Sequence, residues 1–216
     1  MAQIFSYTKV ILDCDGVIFD SNPLKIKALK KALQTFPEDD VEHAVSYMKK
    51  NFGKGRIDIF THFIRNYTSQ DLHQTLPEIL KNYGLECEKL YQSASFTQGF
   101  HEFVEKVSKQ AELFIASGNA EDELQRAFQK RGIEHYFKGV YGSPRKKTEV
   151  LLELSKNQPK EDFVMIGDAY ADYCAAENAK IAFIYLSGYS TDHERMKSLR
   201  QSRGFEMVKD LGGLIA

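Results

Sequence analysis

The 216-residue sequence has few of the features that assign a chain to a broad class at once. It contains only three cysteines, Cys14, Cys87 and Cys174, and none has the Cys-x-x-Cys spacing of a zinc or redox site. They are expected to be reduced thiols with a structural role rather than a disulfide framework. The 29 basic and 30 acidic residues give a formal net charge of −1, without the excess positive charge of a general nucleic-acid binder.

Long hydrophobic runs are also missing. No segment approaches the roughly 20 apolar residues that cross a bilayer, and the start of the chain, MAQIFSYTKVILDCDG, lacks the pattern of a signal peptide. Hydrophobic residues make up 43% of the chain, which is enough for a folded core. We therefore expect a cytoplasmic protein that acts on a small molecule, without a nucleic-acid or membrane partner, as a monomer or weak dimer.

Short apolar runs alternate with helical patterns along most of the chain. The strand-like runs are KVILD (9–13), ELFIAS (112–117), DFVMIG (162–167) and IAFIYL (181–186), with weaker ones at 139–143 and 205–208. Helical patterns cover residues 120–132, 147–157 and 171–179. This alternation predicts an α/β fold, with a Rossmann-like parallel sheet flanked by helices.

Residues 22–97 break this alternation. They contain four amphipathic segments, at 24–36, 40–52, 56–67 and 71–84, and no strand signal. An all-helical block between the first two strands predicts an inserted α-helical domain at 22–97, with residues 1–21 and 98–216 forming the α/β core. The lysines of its first helix are interpreted as a solvated face: Lys25, Lys27, Lys30 and Lys31.

Two of the predicted strands end in paired acids. Asp13 is the last residue of the first strand and Asp15 lies two residues on, so their side chains point to one side, and Asp168 and Asp172 follow the third strand. Ligands of open α/β sheets bind at the carboxyl ends of strands, so the four carboxylates are expected to converge. Their mutual repulsion requires a cation, and an all-oxygen set of ligands favours Mg²⁺ over zinc.

The second strand and the segment after it supply groups for an anion. Ser117, Gly118 and Asn119 lie where the strand is expected to meet a helix, and exposed backbone N–H groups there suit a phosphate. A cation from the following segment would offset negative charge in the site. Lys147, at the start of a predicted helix, is preferred over Lys146.

Four segments resemble, in this order along the chain, the motifs of the haloacid dehalogenase-like hydrolase superfamily, in its β-phosphoglucomutase-like and phosphatase branch with a helical cap. They are DCDGVIFDS, IASGN, GSPRKKTE and IGDAYADYCAAENA. The resemblance covers nearly the whole chain. It implies that Asp13 is the nucleophile, Asp15 the general acid and base, Ser117 a phosphoryl ligand and Lys147 the charge-balancing cation. It also implies a Mg²⁺ site in which Asp15 contributes its backbone carbonyl; the metal set is Asp13, Asp15, Asp168 and Asp172.

The predicted function is that of a Mg²⁺-dependent phosphatase, which hydrolyses a small phosphorylated metabolite, with a sugar phosphate as first choice, through an aspartyl-phosphate. One alternative is a phosphomutase. The segment NFGKGRIDIF resembles a substrate-facing part of the β-phosphoglucomutase-like cap, so Arg56 is a candidate for binding substrate or a distal phosphate. A non-catalytic phosphate-binding or signalling protein, such as a receiver domain, is disfavoured because receivers are about half as long and lack the insertion.

Overall fold

One parallel sheet forms the centre of the molecule in the computed structural model, which describes residues 3–216. Its strands are β1 (Lys9–Leu12), β2 (Glu112–Ala120), β3 (Phe137–Ser143), β4 (Phe163–Gly167), β5 (Ala182–Leu186) and β6 (Glu206–Val208). They are arranged in the order β3-β2-β1-β4-β5-β6, and each neighbouring pair is parallel. The predicted parallel α/β sheet is confirmed, with β1 between β2 and β4.

The central strand is buried on both faces. Val10 and Leu12 pack into the hydrophobic cluster on one side of the sheet, whereas Ile11 packs into the cluster on the other side. All three side chains are fully buried. Alternating side chains that are all apolar are typical of a parallel strand covered by helices on both faces, and this explains why KVIL carries such a clear strand signal.

Helices fill the connections between the strands. Four of them, α1 (Asn22–Ala32), α2 (Glu38–Lys50), α3 (Arg56–Tyr67) and α4 (Leu72–Ser93), lie between β1 and β2, and we call them the helical insertion. None of the described residues from 22 to 93 lies in a strand, which confirms an inserted all-helical segment. The remaining helices are α5 (Phe100–Val107), α6 (Glu121–Lys130), α7 (Lys147–Leu154), α8 (Tyr170–Ala179) and α9 (His193–Arg203).

The chain enters and leaves the helical insertion at neighbouring points. The backbone N–H of Asp20 donates to the carbonyl of Ser95 at 2.9 Å, and that of Thr97 donates to Ile18 at 3.0 Å. The rings of Phe19 and Phe96 stack with centroids 5.1 Å apart. This pairing lies close to the predicted boundaries at 22 and 97, but the division into two domains stays a prediction.

Some element boundaries differ from the sequence prediction. Helix α4 continues nine residues beyond Gly84, where the pattern was expected to end. Strand β2 extends to Ala120, so residues 117–119 lie in the strand and not at the start of α6. Helices α5 and α9 were not predicted; α5 has the usual apolar spacing, but α9 buries only Met196.

No helix within residues 3–216 is both long enough and apolar enough to cross a membrane.

Candidate active site

Three of the four predicted acids meet at the carboxyl end of the sheet. Asp13 follows β1, Asp168 follows β4, and Asp172 lies in the first turn of α8. The parallel register places Leu12 beside Ile166, so the residues after the two strands emerge side by side. One carboxylate oxygen from each acid lies within 4.8 Å of the other two, and all three acids are buried.

Lys147 supplies the positive charge within this cluster. Its Nζ lies 2.8 Å from Oδ2 of Asp13 and also donates to Asp172, whereas the side chain of Lys146 is exposed. Burial lowers the pKa of Lys147, but the charges of Asp13 and Asp172 outweigh burial and raise it. The ammonium therefore stays charged, and the structure places the preferred lysine of the pair against the predicted nucleophile.

The acids compete for this single ammonium. Burial raises the pKa of Asp13 to about 7; Lys147 opposes the rise, and Asp172 and Asp15 add to it. Burial, together with Asp172 and Asp13, raises the pKa of Asp168 well above its usual value. Three carboxylates against one ammonium leave an excess of two negative charges when all are ionised. These oxygen donors and this excess charge fit a bound Mg²⁺.

Asp15 lies apart from this cluster and has its own set of donors. Its Oδ1 accepts from the hydroxyls of Ser21 at 2.6 Å and Tyr91 at 2.8 Å. Its Oδ2 accepts from the ammonium of Lys25 at 2.7 Å and the amide of Asn119 at 2.6 Å. Burial raises the pKa of Asp15, but the charge of Lys25 and these hydrogen bonds bring it below its usual value. Asp15 is thus an anion with all four acceptor positions used.

The end of β2 lies next to both groups of acids. The hydroxyl of Ser117 accepts a hydrogen bond from the Asn119 side-chain amide at 3.0 Å, and both residues are buried. Gly118 lies under the loop that leads into α3: a Cβ there would be 2.8 Å from the carbonyl oxygen of Lys54 and 3.1 Å from that of Gly53. A side chain at position 118 would therefore displace this loop.

Arg56 does not point freely into the site. Its guanidinium forms two hydrogen bonds with the carboxylate of Glu123 in α6, at 2.8 and 2.7 Å, and packs over the ring of Tyr83 at 5.0 Å. The side chain is 8% exposed, and its Nε has no hydrogen-bond partner among the described residues. Substrate binding by Arg56 stays a prediction, and two of its other N–H groups are already engaged.

Two cavities lie near the site, and the smaller is lined by acids of both groups. One of about 10 Å³ lies among Asp13, Asp15, Lys25, Ser117 and Asp168, and it has room for about one water molecule. A second, of about 320 Å³, lies on the other side of the loop at 53–55. The positively charged residues lining it are Lys54, Arg145, Lys146 and Lys147. Gly53 and Lys54 line both cavities, so this loop separates the larger cavity from Asp13.

The sequence pattern of the family described as haloacid dehalogenase-like hydrolase matches residues 10–186, which include the acid cluster and Lys147. The chain belongs to this family. The pyrophosphatase PpaX of Listeria welshimeri is 25% identical to it over an alignment of 226 positions, which covers 96% of each protein.

Solved structures of other proteins have the same fold. A hydrolase from Pseudomonas syringae has a TM-score of 0.77 at 19% identity and covers 96% of both chains. A predicted phosphoglycolate phosphatase from Haemophilus somnus has a TM-score of 0.76 at 16% identity and covers 97% of both chains. The agreement confirms a haloacid dehalogenase-like fold that includes the helical insertion.

Residues that sequence analysis did not assign to the site come from the helical insertion and its entrance. Asn22 donates from Nδ2 to Oδ2 of Asp168 at 2.7 Å, and Lys25 and Tyr91 both bind Asp15. A signal for Lys25 exists in this haloacid dehalogenase-like sequence: it precedes the buried Ala28 and Leu29 by three and four residues, which places it on the buried face of α1.

Proposed function

We propose that the chain is a Mg²⁺-dependent phosphatase that hydrolyses a small phosphorylated metabolite through an aspartyl-phosphate. The observation that carries the proposal is the position of Asp13. It directly follows the central strand, binds Lys147 at 2.8 Å, and borders the same small cavity as Ser117. A carboxylate held by a cation next to a phosphate-binding hydroxyl is the arrangement that a phosphoryl-accepting nucleophile needs.

In the first step of the proposed mechanism, an oxygen of Asp13 attacks phosphorus and the bond to the leaving oxygen breaks. Asp15, which must first take up a proton from solvent, then gives this proton to the leaving oxygen. In the second step a water molecule gives a proton to Asp15 and attacks the aspartyl-phosphate, which releases inorganic phosphate and restores Asp13. Because four donors occupy the Asp15 carboxylate, one of them must move before a proton is transferred.

The residues proposed to hold Mg²⁺ are Asp13, Asp168 and Asp172, with the backbone carbonyl of Asp15. When bound, the ion would neutralise negative charge on the transferred phosphoryl group. Asp172 is fixed by Lys147 and by the backbone N–H of Ala169, which donates to its Oδ2 at 3.1 Å. Asp168 is oriented by Asn22.

The proposed substrate class is a small phosphate ester, with a sugar phosphate as first choice. Its support is the cavity of about 320 Å³, which is at the small end of ligand-binding pockets and is lined by positive side chains. A mutase requires a holder for a second phosphate, and the candidate, Arg56, is engaged by Glu123. We therefore favour hydrolysis over mutase activity.

The test is release of inorganic phosphate by the wild type and by Asp13→Asn, with Mg²⁺ and with chelator. The substrates are sugar phosphates, pyrophosphate, phosphoglycolate and p-nitrophenyl phosphate. We expect Mg²⁺-dependent release by the wild type and a loss of at least about 10³-fold in the variant, whose circular dichroism should be unchanged. Full activity in Asp13→Asn would remove Asp13 as the nucleophile, and release only from a substrate supplied with a sugar bisphosphate would favour the mutase.

A further inference from the structure

Lys25 is a buried lysine in the first helix of the insertion. Its side chain is 11% exposed, and its Nζ lies 2.7 Å from Oδ2 of Asp15 and 2.6 Å from Oδ1 of Asn119. The other lysines of α1 are exposed; Lys30 and Lys31 pair with surface glutamates. Lys25 thus differs from the other lysines of α1 in its burial and in the residues that it contacts.

The ammonium of Lys25 has a donor left for a ligand. An ammonium carries three N–H groups, and the structure gives that of Lys25 two hydrogen-bond acceptors within residues 3–216. The side chain also lines the cavity of about 10 Å³ that Asp13 and Ser117 border. The remaining N–H is therefore available to a single oxygen atom that enters that cavity.

The position of Lys25 indicates which substrate oxygen it serves. Lys147 lies beside the proposed nucleophile, because it binds Asp13 and Asp172. Lys25 binds Asp15, the group proposed to exchange a proton with the leaving oxygen. The two ammonium groups therefore lie at different ends of the site. That of Lys147 lies at the attacking oxygen of Asp13, and that of Lys25 lies beside Asp15, the proposed acid for the leaving group.

We propose that Lys25 is a catalytic residue that donates a hydrogen bond to the leaving oxygen of the substrate. The inference rests on the proposed phosphatase function. As the bond from phosphorus to the leaving oxygen breaks, the electron pair moves to that oxygen, and the ammonium stabilises the negative charge until Asp15, protonated from solvent before this step, supplies the proton. Lys25 keeps all of its own protons. Turning of the ammonium toward the substrate also frees one of the two occupied acceptor positions on Oδ2 of Asp15, while Asn119 keeps the other.

The test compares good and poor leaving groups. A p-nitrophenolate leaves with little help, whereas an alkoxide needs its charge stabilised, so loss of Lys25 should affect alkyl phosphates most. For Lys25→Met we expect kcat/KM to fall by about 10²-fold or more on an alkyl phosphate that the wild type hydrolyses, and by less than about 5-fold on p-nitrophenyl phosphate. Lys25→Arg, which retains charge and donors, should restore part of the alkyl phosphate activity.

Lys27→Met is the matched control, because Lys27 lies two residues away on the exposed face of α1. It should change neither value. Equal losses on both substrates in Lys25→Met, or no loss on either, would overturn the proposal. If Lys25→Met does not fold, Lys25→Gln retains a donor without the charge and gives the same comparison.

Failure of the phosphatase function itself gives a different result. In that case the wild type releases no phosphate from any substrate of the panel, and the role of Lys25 is rejected with the function. An active wild type in which Lys25→Met shows no dependence on the leaving group rejects only Lys25.

Discussion

The sheet and the helical insertion contribute to the site in different ways. The strand ends and the starts of the helices after them provide the acid cluster and Lys147, which lie next to one another because the register of β1 and β4 is fixed. The insertion provides Lys25 and Tyr91, which reach across to Asp15. The chemistry that the sheet organises is thus completed by side chains whose positions depend on how the insertion docks.

The sheet side of this comparison is tested most severely by Lys147→Met. The substitution leaves three buried carboxylates without their ammonium, so we expect kcat to fall by about 10²-fold or more. The repulsion should also lower the melting temperature without metal. Added Mg²⁺ should then raise it more than in the wild type, because a ligand that binds only the folded state stabilises that state.

Thermal unfolding with and without Mg²⁺, together with phosphate release, measures both effects. Lys146→Met, the exposed neighbour, is the control and should behave as the wild type. Two results would contradict the proposal that Lys147 and the metal-binding acids share one site. One is wild-type turnover in Lys147→Met, and the other is a melting temperature that does not change when Mg²⁺ is added.

The same comparison explains what could be predicted from the sequence. Asp13 and Asp168 follow apolar runs buried on both faces, a strong local signal, and parallel strands bring such ends together. The contacts of Lys25 depend on α1 docking onto the sheet, which no local pattern encodes. Glycine is a typical helix end, so the local sequence predicts that α4 ends at Gly84. The helix continues through Gly84 because packing there requires a residue without a side chain.

The insertion side is tested by the ion pairs that join it to α6. Arg56 and Glu123 are nearly buried, whereas Lys130 and Glu88 form a pair at 2.9 Å that is largely exposed. Breaking a buried pair by removing one partner costs about 3 to 5 kcal/mol, since the other charge is left uncompensated. We therefore expect Glu123→Gln to lower the free energy of unfolding by an amount in this range.

The matched control is Glu88→Gln, because the pair of Glu88 and Lys130 also joins the insertion to α6, from α4 and at the surface. It should leave unfolding in urea unchanged within error, because exposed pairs gain little from solvent-screened attraction. Equal effects of the two substitutions would show that burial of the Arg56 pair does not hold the insertion in place. A Glu123→Gln protein as stable as the wild type would contradict the prediction as well.

Gly84→Ala has the smallest expected effect on the free energy of unfolding. The sign of that effect separates two explanations, helix propensity and packing. Helix propensity alone predicts a gain of about 1 kcal/mol, since alanine replaces glycine inside α4. The structure predicts a net loss of about 1 to 3 kcal/mol, because the new Cβ would lie 2.6 Å from Oε1 of Glu123 and would push the carboxylate away from Arg56. Urea unfolding measures the sign of this change in the free energy of unfolding.

A Glu123→Ala background provides the control, because it removes the carboxylate that the new Cβ would contact. In that background Gly84→Ala should become neutral or stabilising. A loss that persists in that background would place the cause elsewhere than in the Arg56 and Glu123 pair. A reversal of sign would show that Gly84 makes room for the contact that joins the insertion to α6.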